Sequence, residues 1–363
     1  MSPLKLEPFR GHAALAALAL DWDTALAGSA ADPLCNSHAW NLAHARAYTR
    51  DADVFGWVGR DGDGVARAVL PFRYEPKASP LRLQRVRLLA DGTFDSDYLE
   101  PIGPRGAERE TAELMIDALA TERRAQVAVI GVLDGESAGA SALSSAVERL
   151  GLPSRTHADK AATAELPETL EAYLETLKKR VRSKLRQADR RADELNLTVE
   201  WLAPSAGQDL PTWLSGLFDL HTRRWQTLDQ PGSFADASRR QFYADLFPAA
   251  LSGGWLRFAR LLQGSEPLAY QAGFRLGDTY YQLQEGYAPQ HEKLRPGSIL
   301  RVRALRDLIA EGIRRYDFMA GLTRHKTEWG GLERPLETRA FALPGRLRAR
   351  AAYATRALLD RRG

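Results

Sequence analysis

A single cysteine in 363 residues, Cys35, leaves no partner for an internal disulfide and points to a reducing compartment. Metal-binding patterns are missing too. The seven histidines include no His-x-x-x-His pair, and one cysteine cannot make Cys-x-x-Cys, so no metal site is expected. Neither a Gly-x-Gly-x-x-Gly nor a Walker loop occurs. Near the start, the apolar run Ala13 to Leu20 is only eight residues long and is flanked by acidic and polar positions, which suits neither a signal peptide nor a membrane span. The expectation is a cytoplasmic protein, with peripheral attachment to the inner face of the membrane left open. The net charge is only +4, so where the charge is concentrated matters more than its sum.

The composition, 44% hydrophobic and 26% charged, provides ample core for a soluble chain, and the length argues for two domains. Residues 12–29 and 37–51 have helical apolar spacing. Two apolar runs around Asp61-Gly62-Asp63-Gly64 read as a hairpin, because those residues supply the positive φ of a tight turn. A strand at 83–90, a helix at 109–124, a buried β-branched strand at 126–134 and another helix follow. The pattern shifts near residue 165. This gives a first domain at 1–165, a second at 166–345 and a basic tail at 346–363.

The second domain opens on what reads as one long helix, 167–197, with an apolar stripe through Leu170, Tyr173, Leu174, Leu177, Val181 and Leu185. Lys178, Lys179, Arg180, Arg182, Lys184, Arg186, Arg190 and Arg191 put eight cations within fourteen positions. They form either a solvated face or an anion site for phosphates, tRNA or acidic lipid headgroups. Further helices precede three strand candidates joined by turns at Gly264 and Gly277-Asp278, an antiparallel meander. The stretch "QEGYAPQHEKLRPGSIL" then runs from strand end through a glycine turn into a helix, with "YDFMAGL" as a final strand. In the tail, Arg346, Arg348, Arg350, Arg356, Arg361 and Arg362 make a mildly amphipathic basic helix, either solvated or docked on an anionic bilayer.

Meander, glycine turn, helix and strand in this order resemble the GNAT N-acetyltransferase fold. More narrowly, the chain resembles the CelD-type (cellulose biosynthesis) acetyltransferases, relatives of the Fem aminoacyl transferases that carry two such domains in tandem. The residues that carry the likeness are Pro296-Gly297, "GIRRYDFMAG", His325-Lys326 and Trp329, supported by "HTRRW" at 221–225, "NSHAW" at 36–40 and "DSDYL" at 95–99. The resemblance implies an α/β fold of tandem GNAT-like domains with mixed, mostly antiparallel sheets flanked by helices. It also implies acyl transfer to an amine, with acyl-CoA as co-substrate and no bound cofactor. The usual Arg/Gln-x-x-Gly-x-Gly/Ala phosphate loop is not matched around Gly297, where a plain turn is the alternative.

A splayed strand end would pair with the amides of an extended donor, and the following helix N-terminus would face its phosphates. Lys293, Arg295, Pro296, Gly297, Ser298 and Ile299 are the donor-binding candidates, with Ser298 as expected N-cap. Strand alternation places Tyr281, Leu283, Glu285 and Tyr287 on one face. Glu285 is the candidate general base and Tyr287 the acid or orienting hydroxyl; a surface Glu and a packing Tyr are the alternatives. The resemblance adds His325 as proton relay and Lys326 as carboxylate or phosphate ligand, against a plain exposed pair. His221, Arg224 and Trp225 share a helix face and divide between an acceptor pocket and core packing. Asp97 and Tyr98 divide between an acceptor cleft and a strand-edge hydrogen bond.

The implied reaction moves an acyl group, long-chain on the family analogy, to a primary amine, with a sphingoid-type lipid amine and ceramide formation as one option. The partners would be acyl-CoA and the amine, with an anionic membrane surface also open. One alternative is a Fem-like transfer from aminoacyl-tRNA to a peptide or peptidoglycan precursor, with nucleic acid as partner. Another is a non-catalytic interaction module in polysaccharide or lipid assembly.

Overall fold

The computed structural model describes residues 4–76, 82–93 and 95–360, with side chains as far as 355. It divides into two compact units, Met1–Lys160 with Arg334–Gly363, and Ala161–Glu333. The expected boundary at 345 falls at 333 instead, because the last strand returns to the first unit. Arg361 and Arg362 of the expected tail lie outside the described residues.

In the first unit β1 (Lys5–Arg10) leads into α1 (Gly11–Ala16), α2 (Ala19–Ala27) and α3 (His38–Tyr48). Next come β2 (Val54–Arg60), β3 (Ala66–Tyr74), β4 (Arg85–Leu88), α4 (Glu108–Thr121), β5 (Val127–Asp134) and α5 (Ala138–Arg149). β6 (Ser154–Glu165) carries the chain onward, so the stretch read as a boundary is a strand. Gly135-Glu136-Ser137-Ala138-Gly139 spells a hydrolase elbow between strand and helix. Yet Ser137 sits at φ −73° and ψ 154° and its side chain accepts from Ala140 N, which makes it an ordinary helix cap.

The second unit continues with α6 (Leu170–Thr176), α7 (Lys179–Glu194), β7 (Leu197–Trp201), α8 (Leu210–Gln226) and α9 (Ala237–Ser252). The meander is β8 (Leu256–Gln263), β9 (Glu266–Leu276) and β10 (Thr279–Tyr287), followed by α10 (Pro296–Ala310), β11 (Arg315–Ala320) and α11 (Arg324–Glu328). β12 (Leu332–Ala342) and α12 (Leu347–Asp360) close the chain. The expected single helix over 167–197 is two, broken where Leu177 and Lys178 turn extended. Arg303 of α10 clamps α7 through Asp189 and Asp193.

The strand pairing repeats. In the first unit β1 to β4 pair antiparallel in sequence, β4 pairs β5 parallel, and β12 adds antiparallel to β5. In the second, β7 to β10 pair antiparallel, β10 pairs β11 parallel, and β6 adds antiparallel to β11. The crossover helix is α4 in one and α10 in the other. This is a duplication of topology that no residue-level repeat reveals. The core of the second unit joins Tyr173, Leu174 and Leu177 of the α6 segment to Tyr280, Leu305, Leu308, Tyr316 and Trp329. α12 docks by Ala349 and Tyr353, and Arg346 donates to the carbonyls of Ala120, Glu122 and Ala125 at the end of α4. The sequence leaves the tail either solvated or docked on a bilayer; packing of Arg346, Ala349 and Tyr353 within the first unit is neither of these.

Candidate active site

β10 and β11 are in register only at Thr279–Arg315, Tyr280–Tyr316 and Tyr281–Asp317. Beyond Tyr281, β10 continues to Tyr287 against β9 alone, so its other edge opens. β10 also carries a bulge between Gln282 and Gln284. The extra residue reverses the alternation. Read through the register, Glu285 and Tyr287 share their face with Gln282 and Tyr280, opposite to the expected Tyr281, and Leu283 is the extra residue of the bulge. The hydrogen bonds agree: Gln282 Nε2 reaches Glu285 Oε2 at 3.3 Å, and Tyr316 Oη donates to Gln282 Oε1 at 3.0 Å.

The open edge faces the mouth of α10. Arg295 stands at φ 58° and ψ 52°, the left-handed region, and caps a helix whose first residue is Pro296. Proline suits that position because its missing N–H would have no partner there. Ser298 therefore lies inside the first turn, and its side chain makes no cap, contrary to expectation. The Ser298 and Ile299 N–H groups both bond to Arg295 O. Ile299 is buried core, whereas Lys293, Arg295, Pro296, Gly297 and Ser298 line a cleft of about 800 Å³. Glu285, Tyr287, Arg224, Glu292, Arg301 and His325 complete its wall. No acidic residue stands in the first turn of α10. α4, the matching helix of the first unit, starts with Glu108 and Glu110, and the cavity beside it measures about 10 Å³.

Arg301 holds the centre of the site. Only 2% exposed, its guanidinium makes an ion pair with Glu285, and its Nη1 lies 2.7 Å from His325 Nε2. The Trp329 ring covers it at 4.8 Å, and Tyr173 Oη donates to Trp329 O at 2.5 Å. Burial alone would raise the Glu285 carboxyl, but the charge of Arg301, with a smaller contribution from Arg224, holds it below the ordinary carboxylate range. Burial and Arg301 together lower the His325 imidazole, which keeps it neutral near pH 7. Sequence reasoning missed Arg301. The signal was its place four and seven residues before Leu305 and Leu308, on an otherwise apolar helix stripe.

Other expected site residues are placed differently. Lys326 directs Nζ at the carbonyls of Phe318, Met319 and Ala320, where β11 ends, and is not in the cleft wall. An ammonium has three donors, so this is strand capping where anion binding was expected. Arg224 does reach the cleft, over the Tyr287 ring at 4.8 Å. His221 and Trp225 stay behind it: Trp225 Nε1 donates to His221 Nε2 at 3.0 Å, and His221 packs edge-on to Phe234. Asp97 and Tyr98 are buried in the first unit, with Arg334 over the Tyr98 ring at 4.4 Å. None of these four lines the cleft, so for His221 and Trp225 the packing alternative holds, and Asp97 and Tyr98 are buried away from it.

On the basic helix, Arg182 and Arg186 pair with Glu171 and Glu175 of α6. Lys178, Lys179, Arg180, Arg190 and Arg191 are exposed. No helix among the described residues is long and apolar enough to cross a membrane, and no group of metal-ligating side chains is found among them.

Residues 179–327 match the family model described as an acetyltransferase (GNAT) domain. No curated protein matches the chain. Among solved structures, FemX superposes with a TM-score of 0.61 at 10% identity, over 88% of this chain and 95% of its own. A conserved protein of unknown function from Bacteroides thetaiotaomicron gives 0.58 at 14%, over 94% of this chain and all of its own. L-PGS from Bacillus licheniformis gives 0.55 at 12%, over 94% of this chain and 95% of its own. At such identities these likenesses speak to fold alone. The chain has a tandem GNAT-like α/β fold, and its second unit carries the segment that matches the acetyltransferase (GNAT) domain.

Proposed function

We propose that this protein is an N-acyltransferase that moves an acyl group from an activated donor, an acyl-CoA thioester, to a primary amine by direct attack in the cleft of the second unit. The observation that carries this is the open β10 edge beside the α10 mouth, with Glu285 at the strand end. An extended donor with amides would pair along the edge, while Lys293, Arg295 and the helix N-terminus would face its phosphates. The amine lone pair forms the C–N bond as the carbonyl π pair moves to oxygen. Acylation makes the nitrogen strongly acidic, so even the weakly basic Glu285 carboxylate can take its proton. The oxygen pair then returns, the C–S bond breaks, and the thiolate leaves with its electron pair and is protonated from solvent.

A second reading, transfer from aminoacyl-tRNA, draws on the FemX-like fold and on the exposed cations of α7. A long-chain donor and a lipid amine rest on that same basic face, now without the tail. Thermal shift against CoA, palmitoyl-CoA and tRNA separates these readings, followed by mass spectrometry of amine extracts incubated with mixed acyl-CoAs. Stabilisation by CoA and an amide product are expected. Salt-sensitive tRNA binding with no CoA effect would move the assignment to the second reading.

A further inference from the structure

A guanidinium carries donors only. The 2.7 Å contact from Arg301 Nη1 therefore makes His325 Nε2 an acceptor. A neutral imidazole that accepts at Nε2 carries its hydrogen on Nδ1, and among the described residues Nδ1 has no partner. Arg301 cannot turn away to release this bond. Its other Nη donates to Glu285 Oε2, and its guanidinium carbon stands over the Trp329 ring at 4.8 Å and over the Phe318 ring at 5.7 Å. Glu285 Oε2 also receives Gln282 Nε2, whereas Oε1 accepts no hydrogen bond among the described residues and the side chain lines the cleft.

We infer that Arg301 is a positioning residue that divides the transfer chemistry between its two partners, locking His325 as the Nδ1–H tautomer and leaving Glu285 Oε1 to take the amine proton. In this division His325 Nδ1–H donates to the donor's carbonyl oxygen as negative charge builds on it. The proton relay expected of His325 is excluded, since its only lone pair is held by Arg301. The substrates rest on the acyltransferase reading; the tautomer does not.

The test is ring-15N NMR on the full-length protein labelled at histidine, with His325→Gln to assign the signals. At pH 7 the expected spectrum has His325 Nδ1 protonated and Nε2 bare. In Arg301→Met the ring should return to the Nε2–H form that predominates in water. A wild-type His325 with Nε2–H predominant overturns the proposal, and this measurement decides even where Arg301→Met does not fold. An unchanged tautomer in folded Arg301→Met overturns it as well. Once turnover is measured, His325→Ala should lower kcat roughly 10²- to 10³-fold while the acid limb of the pH profile stays in place. Loss of a limb near pH 6 to 7 with that substitution would make His325 the base and sink the division of roles. An Nδ1–H tautomer in a protein that transfers no acyl group would refute the function and leave the Arg301 geometry standing.

Discussion

A Cβ on Gly286 would stand 2.8 Å from the backbone nitrogen of His221, and 3.1 Å from the carbonyl oxygen of Leu217. α8 thus lies backbone-to-backbone on the strand that ends in the cleft, and only glycine permits that approach. Gly286→Ala is expected to lower stability by about 1–3 kcal/mol, read as a lower denaturant midpoint. It should also weaken turnover, because Glu285 is the adjacent residue. Wild-type stability in the variant would mean that α8 can move away freely.

Glu285→Gln keeps the shape and the acceptor toward Arg301 but removes the carboxylate. Donor affinity, measured by calorimetry, should hold while kcat falls on the order of 10²- to 10⁴-fold. Undiminished turnover takes Glu285 out of the chemistry.

Gly297 lines the cleft, and a Cβ there would meet only Tyr287 Cδ1, at an ordinary 3.5 Å. Alanine should therefore be tolerated in both fold and binding. Gly297→Leu, by contrast, should fill the mouth of α10 and weaken CoA binding at least about tenfold with little change in melting temperature, since the added group points into open space. Equal CoA affinity in both variants would put the phosphates elsewhere.

Lys326→Met tests the strand-end cap. Three carbonyls would lose a charged donor, and unfolding in urea should show a loss of about 2 kcal/mol. A loss of CoA affinity without any loss of stability would restore the anion-binding role instead.

Burial, then the charges of Arg239 and Arg224, push the His221 imidazole down to about 4. The unfolded chain, at the ordinary value near 6.5, binds the proton more readily. The folded state therefore gains stability as pH rises through this window. The contribution is complete above about pH 6.5 and is lost as pH falls toward 4, with about 2 kcal/mol gone by pH 5. Urea midpoints at pH 7 and pH 5 should converge in His221→Gln relative to wild type; an identical pH dependence in both would assign the effect to other groups.

Much of this was legible in the chain. The hairpin at Asp61-Gly62-Asp63-Gly64, the meander, and the Pro-Gly start of α10 rest on local turn chemistry and periodicity, which neighbours in sequence dictate. β1, β7 and β12 were not foreseen, since each is a short or polar strand whose place is set by a partner far along the chain. The face of Glu285 was misread for the same kind of reason. A bulge is a property of two strands together, and nothing in β10 alone announces it.

The sequence by itself determined the hairpin, the meander, most of the helices, the standing together of Glu285 and Tyr287 at a strand end, and the helix that starts around Pro296-Gly297. Those follow from dihedral preferences and side-chain period, which act over a few residues. Only the tertiary structure decided that Arg301 lies buried between Glu285 and His325, that Lys326 serves a strand end, and that His221 packs behind the cleft. A charge can remain buried only where partners from distant segments converge on it, and that convergence exists only once the chain has folded.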